Sequence, residues 1–235
     1  LKVRRVAWTH GEGAHHTAWT LHDLSWQGWH VGRGGVHWQL QGLQVARVEG
    51  DLATASSGEP AREPVTLSLH PWLSWHVQEA HLGELLIRQG GHPLAQLDAL
   101  TLDLEVGPDA WHIRQLKGRW QRWQWQGTAQ LGAHRPFALA AQLQASEASA
   151  PAGGAPLTPW SPWQAQAQIQ GVLKDFQAQL LIKSPVQPVD VLKAGAHIKS
   201  FDALPLAQAD AQAQGLDLHR LHDAAPQTRL SLSAR

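Results

Sequence analysis

Cysteine, methionine and tyrosine are all missing from this 235-residue chain. Without cysteine there can be no disulfide, no thiolate metal site and no cysteine nucleophile. The redox compartment stays open, because periplasmic chains also fold without disulfides. The chain opens on Leu1 with no initiator methionine, and reads as a piece of a longer polypeptide or a mature product. Any signal or anchor would precede it. Charge of one sign is not in excess either: Lys plus Arg and Asp plus Glu each number 19. With no strongly basic stretch, a nucleic-acid footprint is missing. No run of about 18 apolar residues occurs, so no segment is expected to span a bilayer as a helix.

What the chain has is alternation. Hydrophobic residues make up 43% of it, enough for a core. From Trp163 to Ile182 the sequence is WQAQAQIQGVLKDFQAQLLI, with Ala165, Ala167 and Ile169 between glutamines. A period of two predicts strands with one apolar and one wet face. The same beat carries Val36, Trp38 and Leu40, where Gly42 shifts the phase before Leu43 and Val45. It carries Val65 to Leu69, Leu82 to Ile87, and most cleanly Leu100, Leu102, Leu104 and Val106. Trp123, Trp125, Gly127, Ala129 and Leu131 share a phase, as do Phe137, Leu139, Ala141, Leu143 and Ala145. Val3 to Trp8 and Thr17 to Leu21 predict a hairpin around GEGAHH. Residues 53–64 predict a polar linker and 146–162 a long loop. PVQPVDVLKAG predicts one short helix, with Pro188 in its first turn and Gly195 past its end. Ala207 to Gln214 alternates as a strand, although Ala and Gln are good helix formers.

About 15 short strands follow, which as an open flat sheet would span roughly 70 Å. Sheets of that length curl, split or pack on another sheet. The expected class is therefore all-β: a sandwich, a barrel or a long curled sheet.

Reactive constellations are scarce. Of 15 histidines, His15-His16 and His219-x-x-His222 are the closest pairs, and neither has a second pair at zinc-ligand spacing. No Gly-x-Ser-x-Gly elbow occurs. Gly32-Arg33-Gly34-Gly35 lacks the lysine and helix of a phosphate cradle and predicts a turn. Asp103 and Glu105 fall on the wet face of their strand. No catalytic residue, metal site or cofactor is expected. The thirteen tryptophans and three phenylalanines fit a GC-rich coding bias, and they also suit a greasy, partly wet surface. Trp120, Trp123 and Trp125 could fill a core, stack bases or stack sugars. Filling an apolar face is the favoured reading.

Residues 97–145 join these pieces in a recurring order. A strand runs into a Gly-Pro turn, then W-x-I-x-x-L-x-G, a glycine-interrupted strand and a Pro-Phe strand. The block AQAQIQGVLKDFQAQLLI and the closing LDLHRLHDAAPQTRLSLSAR continue it, and residues 17–52 have the same style. This grammar resembles the TamB family of translocation and assembly module proteins, within the wider AsmA-like group of bridge-forming lipid-transfer proteins. The resemblance implies a long curled antiparallel sheet open along one side (a repeating β-groove), here one elongated segment of a longer protein. It implies a concave apolar face that carries phospholipid between inner and outer membranes and supports outer-membrane protein assembly and secretion. It further implies a periplasmic location, an inner-membrane anchor outside this chain and an outer-membrane barrel partner of the TamA-like Omp85 family. Residues expected to face the groove are Leu100, Leu102, Leu104, Trp111, Ile113, Trp125, Phe137, Leu139, Ile169, Phe176, Leu180 and Ile182. The alternative is a β-sandwich or solenoid that pairs with other proteins through its edge strands.

Overall fold

The computed structural model describes residues 1–10, 17–32, 37–52, 68–71, 73–148, 162–184, 190–202, 205–221 and 225–234. The GEGAHH turn, the Arg33-Gly34-Gly35 part of the glycine-rich turn, the strand start at Val65, the 53–64 linker and most of the 146–162 loop lie outside them. Among the described residues the chain is nearly all β, with a single helical turn. It divides into two compact units. The first holds Leu1–Glu59 and Ser68–Trp120, and the second Gln121–Arg235 together with Pro60–Leu67.

In the first unit the strands are β1 (Lys2–His10), β2 (Thr17–Ser25), β3 (Gly28–Val31), β4 (His37–Gln41), β5 (Gln44–Leu52), β6 (Ser74–Gln89), β7 (His92–Val106) and β8 (Ala110–Trp120). Their order is β1-β2-β5-β6-β7-β8, with β3 paired to β4. All ladders are antiparallel except two: β4 and β5 both run parallel to the sixteen-residue β6. That departs from the all-antiparallel expectation. Alternation reports which way side chains face and carries no record of strand direction.

The apolar phase slips at a matching place in five strands, and β6 slips a second time between Val77 and Ala80, where Glu79 takes φ 54°. Val3 and Val6, Leu21 and Leu24, Val45 and Val48, Leu82 and Leu85, and Leu97 and Leu100 each sit three residues apart. In a regular pleat an odd step moves a side chain to the opposite face. The pairing shows these steps to be one feature, since Val6 faces Leu21, Val3 faces Leu24, Val45 faces Leu82, and Leu82 faces Leu100. Inside the steps Arg4, Arg5, Asp23, Ala46, Gly83 and Ala99 are exposed, and His22, Arg47, Glu84 and Asp98 are half-buried. Asp23 and Ala99 both take φ 52°, a left-handed conformation that re-aims the strand as a bulge does. One extra residue per strand, aligned across the sheet, keeps the apolar residues on one side. A Cβ at Gly83 would stand 2.5 Å from the Ala46 carbonyl oxygen. Gly83→Val should therefore force β5 and β6 apart at this row and cost about 2–4 kcal/mol of stability. Denaturant unfolding measures it, and a loss below about 0.5 kcal/mol would show that the row is not tightly held.

The second unit is an open antiparallel ladder of β9 (Trp123–Gly132), β10 (Ala138–Glu147), β11 (Gln164–Val172), β12 (Asp175–Lys183), β13 (Asp190–Lys199), β14 (Leu206–Leu216) and β15 (Leu230–Ala234). Each strand pairs with its neighbour in sequence, and β9 does not pair with β15. Of the segment 185–195 expected to be a helix, the described part, 190–195, belongs to strand β13 instead, and 185–189 lie outside the described residues. The physical reason lies in its partners. Leu192, Ala194, Ala196 and Ile198 keep a period of two and face Ile182, Leu180, Ala178 and Phe176, one for one. That pairing outweighs the helix-start cue at Pro188. The Ala-Gln segment is strand β14, as its period requires.

Candidate functional site

The register of the second unit sorts its inward side chains into four rows that run across the strands. One margin is Trp125, Ala145, Ala165, Ile182, Leu192 and Ala213. The opposite margin is Leu131, Leu139, Gly171, Phe176, Ile198 and Leu206. Between them lie Gly127, Leu143, Ala167, Leu180, Ala194 and Ala211, then Ala129, Ala141, Ile169, Ala178, Ala196 and Ala209. Rows on one face of a sheet lie about 7 Å apart. Most side chains on this floor end at Cβ, while both margins carry aromatic or branched residues. The result is a gutter. Its floor is half-buried to exposed, and no floor residue belongs to the buried core.

The opposite face is written in glutamine. Gln142, Gln168 and Gln179 lie side by side with Gly195 and Asp210, and Gln144 and Gln166 lie beside Leu181 and Lys193. These glutamines are exposed. A shallow hollow of about 440 Å³ lies among them above Gly195. Farther along the same face, His197 Nε2 lies 2.6 Å from Asp175 Oδ1.

One margin is closed over. Its core is Trp123, Trp163, Ile182, Val191, Ala213 and Leu216, packed against Leu218 and Leu221 of the helical turn α1 (Leu218–Leu221). In a flat sheet β9 and β14 would stand about 24 Å apart. Yet Trp123 Nε1 on β9 donates to the Arg220 carbonyl at 3.0 Å, only four residues beyond the end of β14. One helical turn cannot bridge that gap, so this end of the ladder must curl inward around α1.

A buried ion pair holds the closure. Glu147 ends β10 facing Trp123, with its side chain 1% exposed. Arg220 donates through Nε to Oε1 at 3.0 Å and through Nη2 to Oε2, a two-point fork. The Trp163 backbone N–H also donates to Glu147 Oε2, at 2.8 Å. The guanidinium lies 4.1 Å from the centre of the Trp163 ring. Asp217 accepts from the N–H groups of His219 and Thr228, and the Thr228 hydroxyl accepts from Leu218 N–H, so the segment after β14 is stapled to itself.

The expected groove residues divide between the units. In the second, Trp125, Leu139, Ile169, Phe176 and Leu180 lie on the gutter face and are half-buried. Ile182 is 3% exposed, inside the closed margin, and Phe137 is 5% exposed in the turn before β10 rather than on a strand. Neither offers free surface to a ligand. In the first unit Leu100, Leu102 and Leu104 face Leu82, Ala80 and Val77, and Leu104 also faces Ile113. All are half-buried apart from the buried Val77. Trp111 meets Trp75 edge-on and donates from Nε1 to the Leu69 carbonyl at 2.8 Å. On the wet side of β7, Asp103 holds His76 at 2.9 Å and Glu105 pairs with Arg114.

Sequence reasoning misses the closure. Glu147 and Arg220 stand 73 residues apart, and Glu147 falls within the loop expected at 146–162. The one available signal is an apolar Leu218-x-x-Leu221 step inside an otherwise alternating chain.

These features define a class: β proteins with a long, unclosed sheet that carries an apolar, alanine-rich face opposite a wet one. No family model, curated protein or solved structure matches the chain.

Proposed function

We propose that the alanine-floored face of the second unit shields the acyl chain of a lipid. The chain would then be a non-enzymatic lipid-carrying segment of the TamB-like kind, working in the periplasm from an inner-membrane tether outside it. Phospholipid would pass between the inner and outer membranes, in support of outer-membrane assembly with a barrel partner.

One observation carries this reading: rows of mostly Ala and Gly lie between margins of large side chains, and the floor is half-buried to exposed, outside the buried core. An acyl chain of about 16 carbons in water costs on the order of 12 kcal/mol, at about 0.8 kcal/mol per CH₂. A smooth apolar floor removes that cost without specific contacts, which accounts for a functional surface that carries no motif. In a sealed sandwich such small inward residues would need large partners opposite to reach native packing density.

Mass spectrometry of the purified chain should detect co-purified phospholipid. Photo-crosslinkers at Ile169 and Leu180 should label acyl tails, and those at Gln168 and Gln179 should not. Labelling from the glutamine positions alone would reverse the assignment of the faces. Lipid-free protein that also fails to take up added phospholipid would favour the edge-pairing module instead.

A further inference from the structure

We infer that the free edge of the first unit, strand β1, is a contact surface for an anionic lipid bilayer. This inference does not rest on the gutter of the second unit. Among the described residues β1 pairs only with β2, so its other edge is open. Lys2, Arg4 and Arg5 are all exposed and form no ion pair among the described residues. Val6 and Trp8, on the same strand, are 37% and 47% exposed, and Trp8 is braced against Trp19 with ring centroids 6.4 Å apart. Cations near an anionic membrane gain from its surface potential, and tryptophan settles where headgroups meet acyl chains. The open edge of β1 carries both chemistries on its two faces: Lys2 and Arg5 alternate with Val3 and Val6, and Lys2 shares a hollow with Asp23.

Charge complementarity selects the partner. Three cations on one strand, in a chain with 19 basic and 19 acidic residues, are too few for a nucleic-acid footprint. The exposed aliphatic Val6 also has no role on a phosphate backbone, whereas at a bilayer interface it is buried together with Trp8.

Co-sedimentation of the whole chain with vesicles tests this. Binding is expected to phosphatidylcholine vesicles that contain phosphatidylglycerol, to fall as salt rises, and to be weak with phosphatidylcholine alone. Each cation removed should weaken binding about fivefold, so the Lys2→Gln, Arg4→Gln, Arg5→Gln triple variant should lose on the order of 100-fold. Trp8→Ala should lose several-fold, while Gln168→Ala, on the wet face of the second unit, should bind vesicles like the parent. Equal binding to neutral vesicles, an unaffected triple variant, or preferential binding of a single-stranded oligonucleotide through these cations would overturn the inference. Lipid shielding in the second unit is read separately, by co-purified lipid.

Discussion

Replacing Arg220 with alanine should lower the stability of the second unit by about 3–5 kcal/mol. The loss follows from leaving the Glu147 carboxylate buried without its partner. Its side chain is 1% exposed, so water cannot take over the role of the guanidinium. Part of the loss comes from the Trp163 ring, which loses the cation stacked on it. The companion variant carries the sharper test. Glu147→Leu with Arg220→Met removes both charges and keeps apolar volume, and should return to within about 1–2 kcal/mol of the parent, since a buried pair adds little over packed hydrocarbon. Denaturant unfolding should show the midpoint falling in the single variant and recovering in the double. A single variant that loses under about 1 kcal/mol would mean that α1 is held by its leucines alone, the size of effect an exposed pair gives.

Ile169→Asp or Leu180→Asp should abolish acyl-chain binding. Each puts a carboxylate on the gutter floor, where the hydrocarbon of a bound chain would have to replace its water. A charge at such a depth costs about 2.5–3.5 kcal/mol in membrane insertion, so affinity for a fluorescent acyl probe should fall on the order of 100-fold. Both positions are only half-buried in the free protein, so the circular dichroism spectrum should keep its β signature. Gln168→Asp and Gln179→Asp add the same charge on the wet face and should leave the probe bound. If all four variants bind alike, the gutter is not the site.

These two experiments probe what is hardest and easiest to read in the sequence. Ile169 and Leu180 are legible because a strand reports its face residue by residue: the glutamines between them mark which side is wet. The aligned slip in the first unit is half legible. Each three-residue step, such as Leu21 to Leu24 or Leu97 to Leu100, looks in isolation like an interruption. Pairing between strands distant in sequence is needed to see that the five steps form one row. Phe137 follows the alternation of Leu139 and Ala141, which points it to the groove, yet with φ 59° it turns out of the strand into a buried corner. Local punctuation near Pro188 suggests a helix, while the ladder partners that make 190–199 a strand lie on β12 and β14.

Local rules of side-chain spacing thus set the all-β class, the wet and apolar faces and the alanine-rich floor. They act over two residues, which is the range at which a pleat alternates. Strand direction in β5 and β6, the inward curl of one margin and the Glu147–Arg220 closure depend on groups tens of residues apart. No periodicity records such contacts, because they are selected by how the folded sheet buries its ends.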